Sequence, residues 1–291
     1  MKALYVLLFS FFSLPLFAQS NVPVWVMVEQ AERQIDEGQF GEAIRGLRRS
    51  LTVSPENADA LFAMGRAYKA IVDYTVALDY LERALDSSDT FRAPQRALLV
   101  RYERAEIYRT QRAFARYEQE LDAILSEAIL PEAFLPERLM PIVAREGVDR
   151  MLVLYRVPED GGTRARSMLG ELLIGLGRYA QAGEVLSVAV IQSLTTIVEG
   201  VLRRDPLYEY TTVAELLADA RDYPAIADYL DRTSLYADLY FLAAAYLGEG
   251  LGYARPLWQI LSQLPEAGVW AGRAARQVDD PQLEPLIVPS R

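Results

Sequence analysis

Between Pro55 and Leu85 apolar residues recur three or four positions apart, first Leu61, Met64, Ala67 and Tyr68, then Leu78, Leu81, Ala84 and Leu85. That spacing predicts two helices, each with one apolar stripe, folded into a hairpin. Gly65 and Ala77 are small where the two axes would cross, which allows close approach. A lone hairpin would leave one side of its stripe in water, so the pattern implies neighbours above and below. A second stretch has the same order: Leu169-Gly170, Leu173, then Gly177-Arg178-Tyr179-Ala180-Gln181-Ala182, Leu186 and Ala189.

These stretches resemble the tetratricopeptide (TPR) repeat. Its signature of roughly 34 residues sets a large apolar residue, Leu-Gly, Tyr, Ala, an aromatic residue or Leu, and a closing Pro in that order. Leu61, Met64-Gly65, Tyr68, Ala77, Leu81 and Ala84 match it. The resemblance implies an all-α fold, a right-handed solenoid of about five to six helix-turn-helix hairpins.

The rest of the chain fits that frame less regularly. Pro23 to Pro55 reads as a degenerate first hairpin, with Ala31 in place of Gly and with Gln30 and Gln34 suited to a solvated terminal cap. A third hairpin contains Ala105, Tyr108, Phe114, Leu121 and Ile124; its first helix is expected to begin near Pro94, and Tyr117 stands where the family has Ala. Pro131, Pro136, Pro141, Pro158 and Asp160-Gly161-Gly162 then predict an irregular joint around a helical stretch from Val148 to Tyr155.

Beyond the joint, the stripe Leu186, Val190, Leu194, Ile197, Val201 and Leu202 carries one helix about two turns past the repeat length. Covering the joint is its expected role. A self-association face and the wall of an apolar ligand cavity are the alternatives. Two further hairpins follow, Val213 to Leu230 and Leu239 to Leu261, with Gly248, Gly250 and Gly252 loosening the last turn and a closing helix near Glu266 to Gln277. The expected division is a leader at 1–18, an N-terminal repeat block at 19–130, the joint at 131–162, a second block at 163–278 and an extended tail at 279–291.

The leader is read from Met1-Lys2 and the apolar run Ala3 to Phe17, which is shorter than the ~20 residues of a spanning helix. Cleavage is expected after Ala18, giving an exported, periplasmic protein with no transmembrane segment in the mature chain. An uncleaved N-terminal tether is the alternative. Lys2 would leave with the leader, so 29 basic residues face 40 acidic ones, a net charge of −11. That balance argues against nucleic acid as a partner.

Histidine and cysteine are both absent. Ser-His-Asp and Cys-His nucleophilic sites, His or Cys metal clusters, redox dithiols and disulfides are therefore excluded, and no cofactor or metal is expected. Paired carboxylates survive that filter, and a hydrolase of envelope polysaccharide would need two of them facing one cleft with one shifted upward in pKa.

In the family resembled, the first helices of successive hairpins line a groove that holds a peptide or a partner helix. Projection onto that arrangement places Trp25, Val28 and Glu32 beside Phe62, Arg66 and Lys69, then Tyr102, Glu106 and Arg109. Rings can fill pockets and guanidinium groups can fix a carboxylate. The expectation is a non-enzymatic adaptor outside the cytoplasm, binding another envelope protein or a peptide. A small-molecule or lipid-binding accessory of envelope transport or assembly, holding an apolar ligand, is the alternative, and self-association fits either.

Overall fold

The computed structural model describes residues 22–283, and every regular element among them is helical. The expected leader at 1–18 and residues 284–291 of the tail lie outside the described residues. Contacts divide the chain after Thr90 into two units. The first contains α1 (Val24–Asp36), α2 (Phe40–Val53), α3 (Ala58–Ala70) and α4 (Tyr74–Asp86). Val28, Ala31, Leu47, Ala63, Met64 and Ala67 meet in its core.

The second unit begins with α5 (Arg96–Thr110) and α6 (Phe114–Glu127), so the third hairpin falls with the later helices. It continues through α7 (Pro136–Leu154), α8 (Thr163–Gly175), α9 (Tyr179–Leu202), α10 (Val213–Asp219), α11 (Pro224–Arg232), α12 (Leu235–Gly248), α13 (Ala254–Ser262) and α14 (Val269–Asp279). The pairs α1/α2, α3/α4, α5/α6, α8/α9 and α12/α13 pack as consecutive hairpins, as the apolar stripes require.

All five hairpins turn in the same way. The second residue after the first helix has positive φ: Gly38 at 77°, Val72 at 67°, Arg112 at 56°, Gly177 at 73° and Gly250 at 69°. The following N–H then donates to the carbonyl five residues back, as from Asp73 to Tyr68 at 3.0 Å and from Arg178 to Leu173 at 2.9 Å. This bond closes the Schellman motif and satisfies a carbonyl that the helix end would otherwise orphan. Glycine suits the position because it has no Cβ to clash; Val72 and Arg112 hold it without that relief. Gly250 is thus the turn residue of the last hairpin. Gly248 does not loosen that turn, because the Tyr179 ring occupies the space a Cβ would need there.

The joint is more helical than its prolines suggest. Pro136 sits in the first turn of α7, where a missing N–H costs nothing, and the helix runs through Pro141 before breaking at Gly147, φ 84°. The expected stretch from Val148 is therefore the second half of a longer element.

Helix α9 is the centre of this unit. It runs 24 residues to Leu202, and α7, α8, α11 and α12 pack around it. Its apolar window is long enough to cross a bilayer by length and composition, and 72% of that window is buried within the protein. The extra turns cover the joint, and they hold it with polar groups. Gln192 Oε1 accepts from Thr163 Oγ1 and from Arg166 Nη1, both at 3.0 Å, while its Nε2 donates to the Pro158 carbonyl at 3.0 Å. Thr195 Oγ1 accepts the Val157 N–H at 3.1 Å. Arg166, 3% exposed, completes the set with a two-pronged pair to Asp160 at 2.6 and 3.1 Å. Burial alone would raise the Asp160 pKa; the Arg166 guanidinium and the Gly162 N–H outweigh it and hold the carboxyl below its usual range.

Candidate functional site: a recess lined by α5, α8 and α12

The first helices of three hairpins in the second unit, α5, α8 and α12, line one recess of about 170 Å³. Arg109 comes from α5, Arg164, Ser167, Met168 and Glu171 from α8, and Asp238 and Phe241 from α12. On α8 the spacing 164, 167, 168, 171 is one helix face, which is why four side chains of one helix converge there.

Arg164 is fixed by two neighbours. Its guanidinium lies 4.9 Å from the centroid of the Tyr102 ring and pairs with the Glu106 carboxylate. Tyr102 is itself buried, and its hydroxyl donates to the Gly161 carbonyl at 2.8 Å and accepts the Ala165 N–H at 3.1 Å. Arg109 differs: it is exposed, and among the described residues its guanidinium joins no ion pair. A cation on one wall is thereby left for an incoming group.

Asp238 forms the floor. It is 2% exposed, and Ser167 Oγ donates to its Oδ2 at 2.6 Å. Burial pushes its carboxyl up to about 7; the Ser167 hydroxyl opposes that shift and the Glu171 charge adds to it. Near neutrality the floor can therefore present a carboxylic acid O–H or a carboxylate. Tyr117 of α6, buried where the family resembled has Ala, lies among the charges of this region, and its hydroxyl has no hydrogen-bond partner among the described residues. Burial raises its pKa, with Arg109 and Arg164 pulling it down and Glu171 and Glu106 pushing it up.

Of the residues projected onto a groove, Tyr102, Glu106 and Arg109 thus stand at or beside the recess. The others belong to the first unit. Trp25 is 49% exposed on α1, whereas Val28 and Phe62 are buried at 4% and 3%. Arg66 is half-buried and donates to Asp36 Oδ1 at 3.1 Å, and Lys69 is half-buried in the last turn of α3. The projection stopped before the second block and so missed Arg164, Ser167, Met168, Glu171, Asp238 and Phe241. One signal was present: Asp238 is the single charge in the apolar run from Leu235 to Leu247.

No family model matches the chain, and no curated protein matches it. Among solved structures, the chain is similar to a Podosopora anserina kinesin-light-chain-like protein built of nearly identical TPR-like repeats. The TM-score is 0.45 at 17% identity, over 87% of this chain and 99% of that one. A single-substitution variant of the same protein gives 0.45 and 17% over 86% and 96%.

Proposed function

We propose that the chain is a protein-interaction scaffold that acts outside the cytoplasm and docks a carboxylate-bearing segment of another envelope protein against α5, α8 and α12. The supporting observation is Arg109, a cation that joins no ion pair among the described residues, on the wall of a recess whose floor is the Ser167–Asp238 pair. Arg109 would pair with the incoming carboxylate, and protonated Asp238 would add a donor without a second negative charge. Met168 and Phe241 supply apolar wall for the stem of the side chain.

Size separates this reading from hydrolysis of a polysaccharide. Glu171 and Asp238 do line one recess and Asp238 is shifted upward, as that chemistry would ask. About 170 Å³ is, however, less than the 300–1,000 Å³ of sites that enclose a small-molecule ligand. It suits one side chain or a chain terminus.

The test is affinity capture of the tagged mature protein from its native envelope after mild crosslinking, with Arg109→Glu alongside. A partner retained by the parent and lost at least tenfold from the folded variant supports the docking site, since reversal turns attraction into repulsion. Equal recovery from both would overturn it.

A further inference from the structure

A second cleft, of about 550 Å³, lies between the end of α9 and α11, lined by Thr196, Gly200, Arg203, Arg204, Ile226 and Arg232 among others. Arginine at or just past a helix C-terminus, as Arg232 in the last turn of α11 and Arg203 and Arg204 directly after α9, is ordinary, because it complements the helix dipole. The unusual feature is that two such helix ends meet, so that three guanidinium groups share one cleft. Arg203 Nε donates to the Glu199 carbonyl at 3.1 Å and Arg232 Nε to the Asp228 carbonyl at 2.9 Å, both backbone groups one turn back. No acidic side chain pairs with any of the three arginines among the described residues. This concentration of positive charge occurs in a chain of formal net charge −10. The adjacent wall is apolar: Ile226 packs so tightly on Gly200 that a Cβ there would stand 3.2 Å from it, and Ala225 and the Tyr229 ring extend the surface. Glu159 approaches this wall, where it accepts the Tyr229 hydroxyl at 2.5 Å.

We infer that this cleft binds a phosphate-bearing amphiphile, with the phosphate on Arg203, Arg204 and Arg232 and the attached apolar chain against Ile226 and Ala225. Three planar guanidinium groups suit a dianion with several acceptor oxygens better than a single carboxylate. The volume lies within the range of small-ligand sites.

The probe is dihexanoyl phosphatidic acid below its micellar concentration, measured by isothermal titration calorimetry on the mature protein. It should bind, and Arg203→Gln/Arg204→Gln/Arg232→Gln should weaken it at least about tenfold. A charge-matched control, Arg33→Gln/Arg45→Gln/Arg49→Gln on exposed positions of the first unit, should bind like the parent. Circular dichroism of both triple variants checks that they are folded. Glycerol 3-phosphate, which has the headgroup without the chains, should bind at least about tenfold more weakly. Three results overturn the inference: no binding of the phosphatidic acid, equal binding by the cleft variant, or equal binding of glycerol 3-phosphate, which would mark a simple anion site.

Discussion

In α3/α4 the helices cross where Gly65 lies beneath Leu81, and in α8/α9 they cross where Gly170 lies beneath Leu186. A Cβ on Gly65 would stand 2.6 Å from Leu81 Cδ2, and one on Gly170 would run into Leu186 as well. After this shared crossing the two hairpins diverge. The second helix has 13 residues in α4 and 24 in α9, and only α9 carries buried polar side chains that reach out to a joint. The turns share one geometry but not one residue type, since Val72 occupies the left-handed position that Gly177 fills in the other copy. One packing device therefore serves two purposes: the compact copy repeats, and the extended copy fastens an irregular segment.

The largest effects should come from the crossing. Leu81→Ala and Leu186→Ala should each cost about 3 kcal/mol or more in denaturant unfolding, because each leaves a cavity in a packed interface. Gly65→Ala should also destabilise, yet Gly65→Ala with Leu81→Ala should cost less than the two separate losses, since the new methyl enters the space the leucine vacates. Strict additivity would show that the glycine is not there for this contact.

Next comes the feature that α4 lacks. Gln192→Ala removes three hydrogen bonds at once and strands the Pro158 carbonyl while Arg166 keeps its pair with Asp160, an expected loss of about 2–3 kcal/mol. Amide exchange should accelerate first between residues 155 and 163; uniform acceleration along α9 would contradict a fastening role.

A narrower effect is confined to one pH window. Asp238 has a folded pKa of about 7 against an ordinary 3.8, so between these values the native state keeps a proton that the unfolded chain has lost. Its contribution to stability must therefore fall as pH rises from about 4 to 7, and level off above. Asp238→Asn should flatten that slope relative to the parent, and an unaltered slope would locate the titration elsewhere.

The smallest effect has the opposite sign. Val72→Gly should stabilise by about 0.5–1 kcal/mol, by relieving a β-branched residue held at positive φ. Gly177 is the built-in control, and Gly177→Val should lose stability.

How much of this was legible followed the range of the interactions. The crossing glycines, Leu81 and Leu186 are set by contacts within one hairpin, and the repeat pattern exposed them, while the overlong α9 showed as an apolar stripe running past the repeat length. Gln192 and Thr195 lie off the apolar stripe and nothing local marks them, because their partners at 157–166 lie about 30 residues away in sequence. Val72 and Arg112 hid two of the five identical turns, since neither residue type advertises a left-handed backbone. The recess was harder still. Arg109, Ser167 and Asp238 lie on helices more than 50 residues apart, and only the lone charge at Asp238 hinted that the apolar α12 faced something polar.

The cover of α9 also sets an order of events during synthesis. Its apolar faces are closed by α7 and α8, already made when it emerges, and by α11 and α12, still to come. A chain ended at Tyr223 holds the helix and half its cover, leaving Val190, Leu194 and their neighbours open to other chains. Synthesis of the last hairpin is thus the step that turns an aggregation-prone intermediate into a closed one, and truncated products of this protein should partition to the insoluble fraction while the longer chain stays in solution.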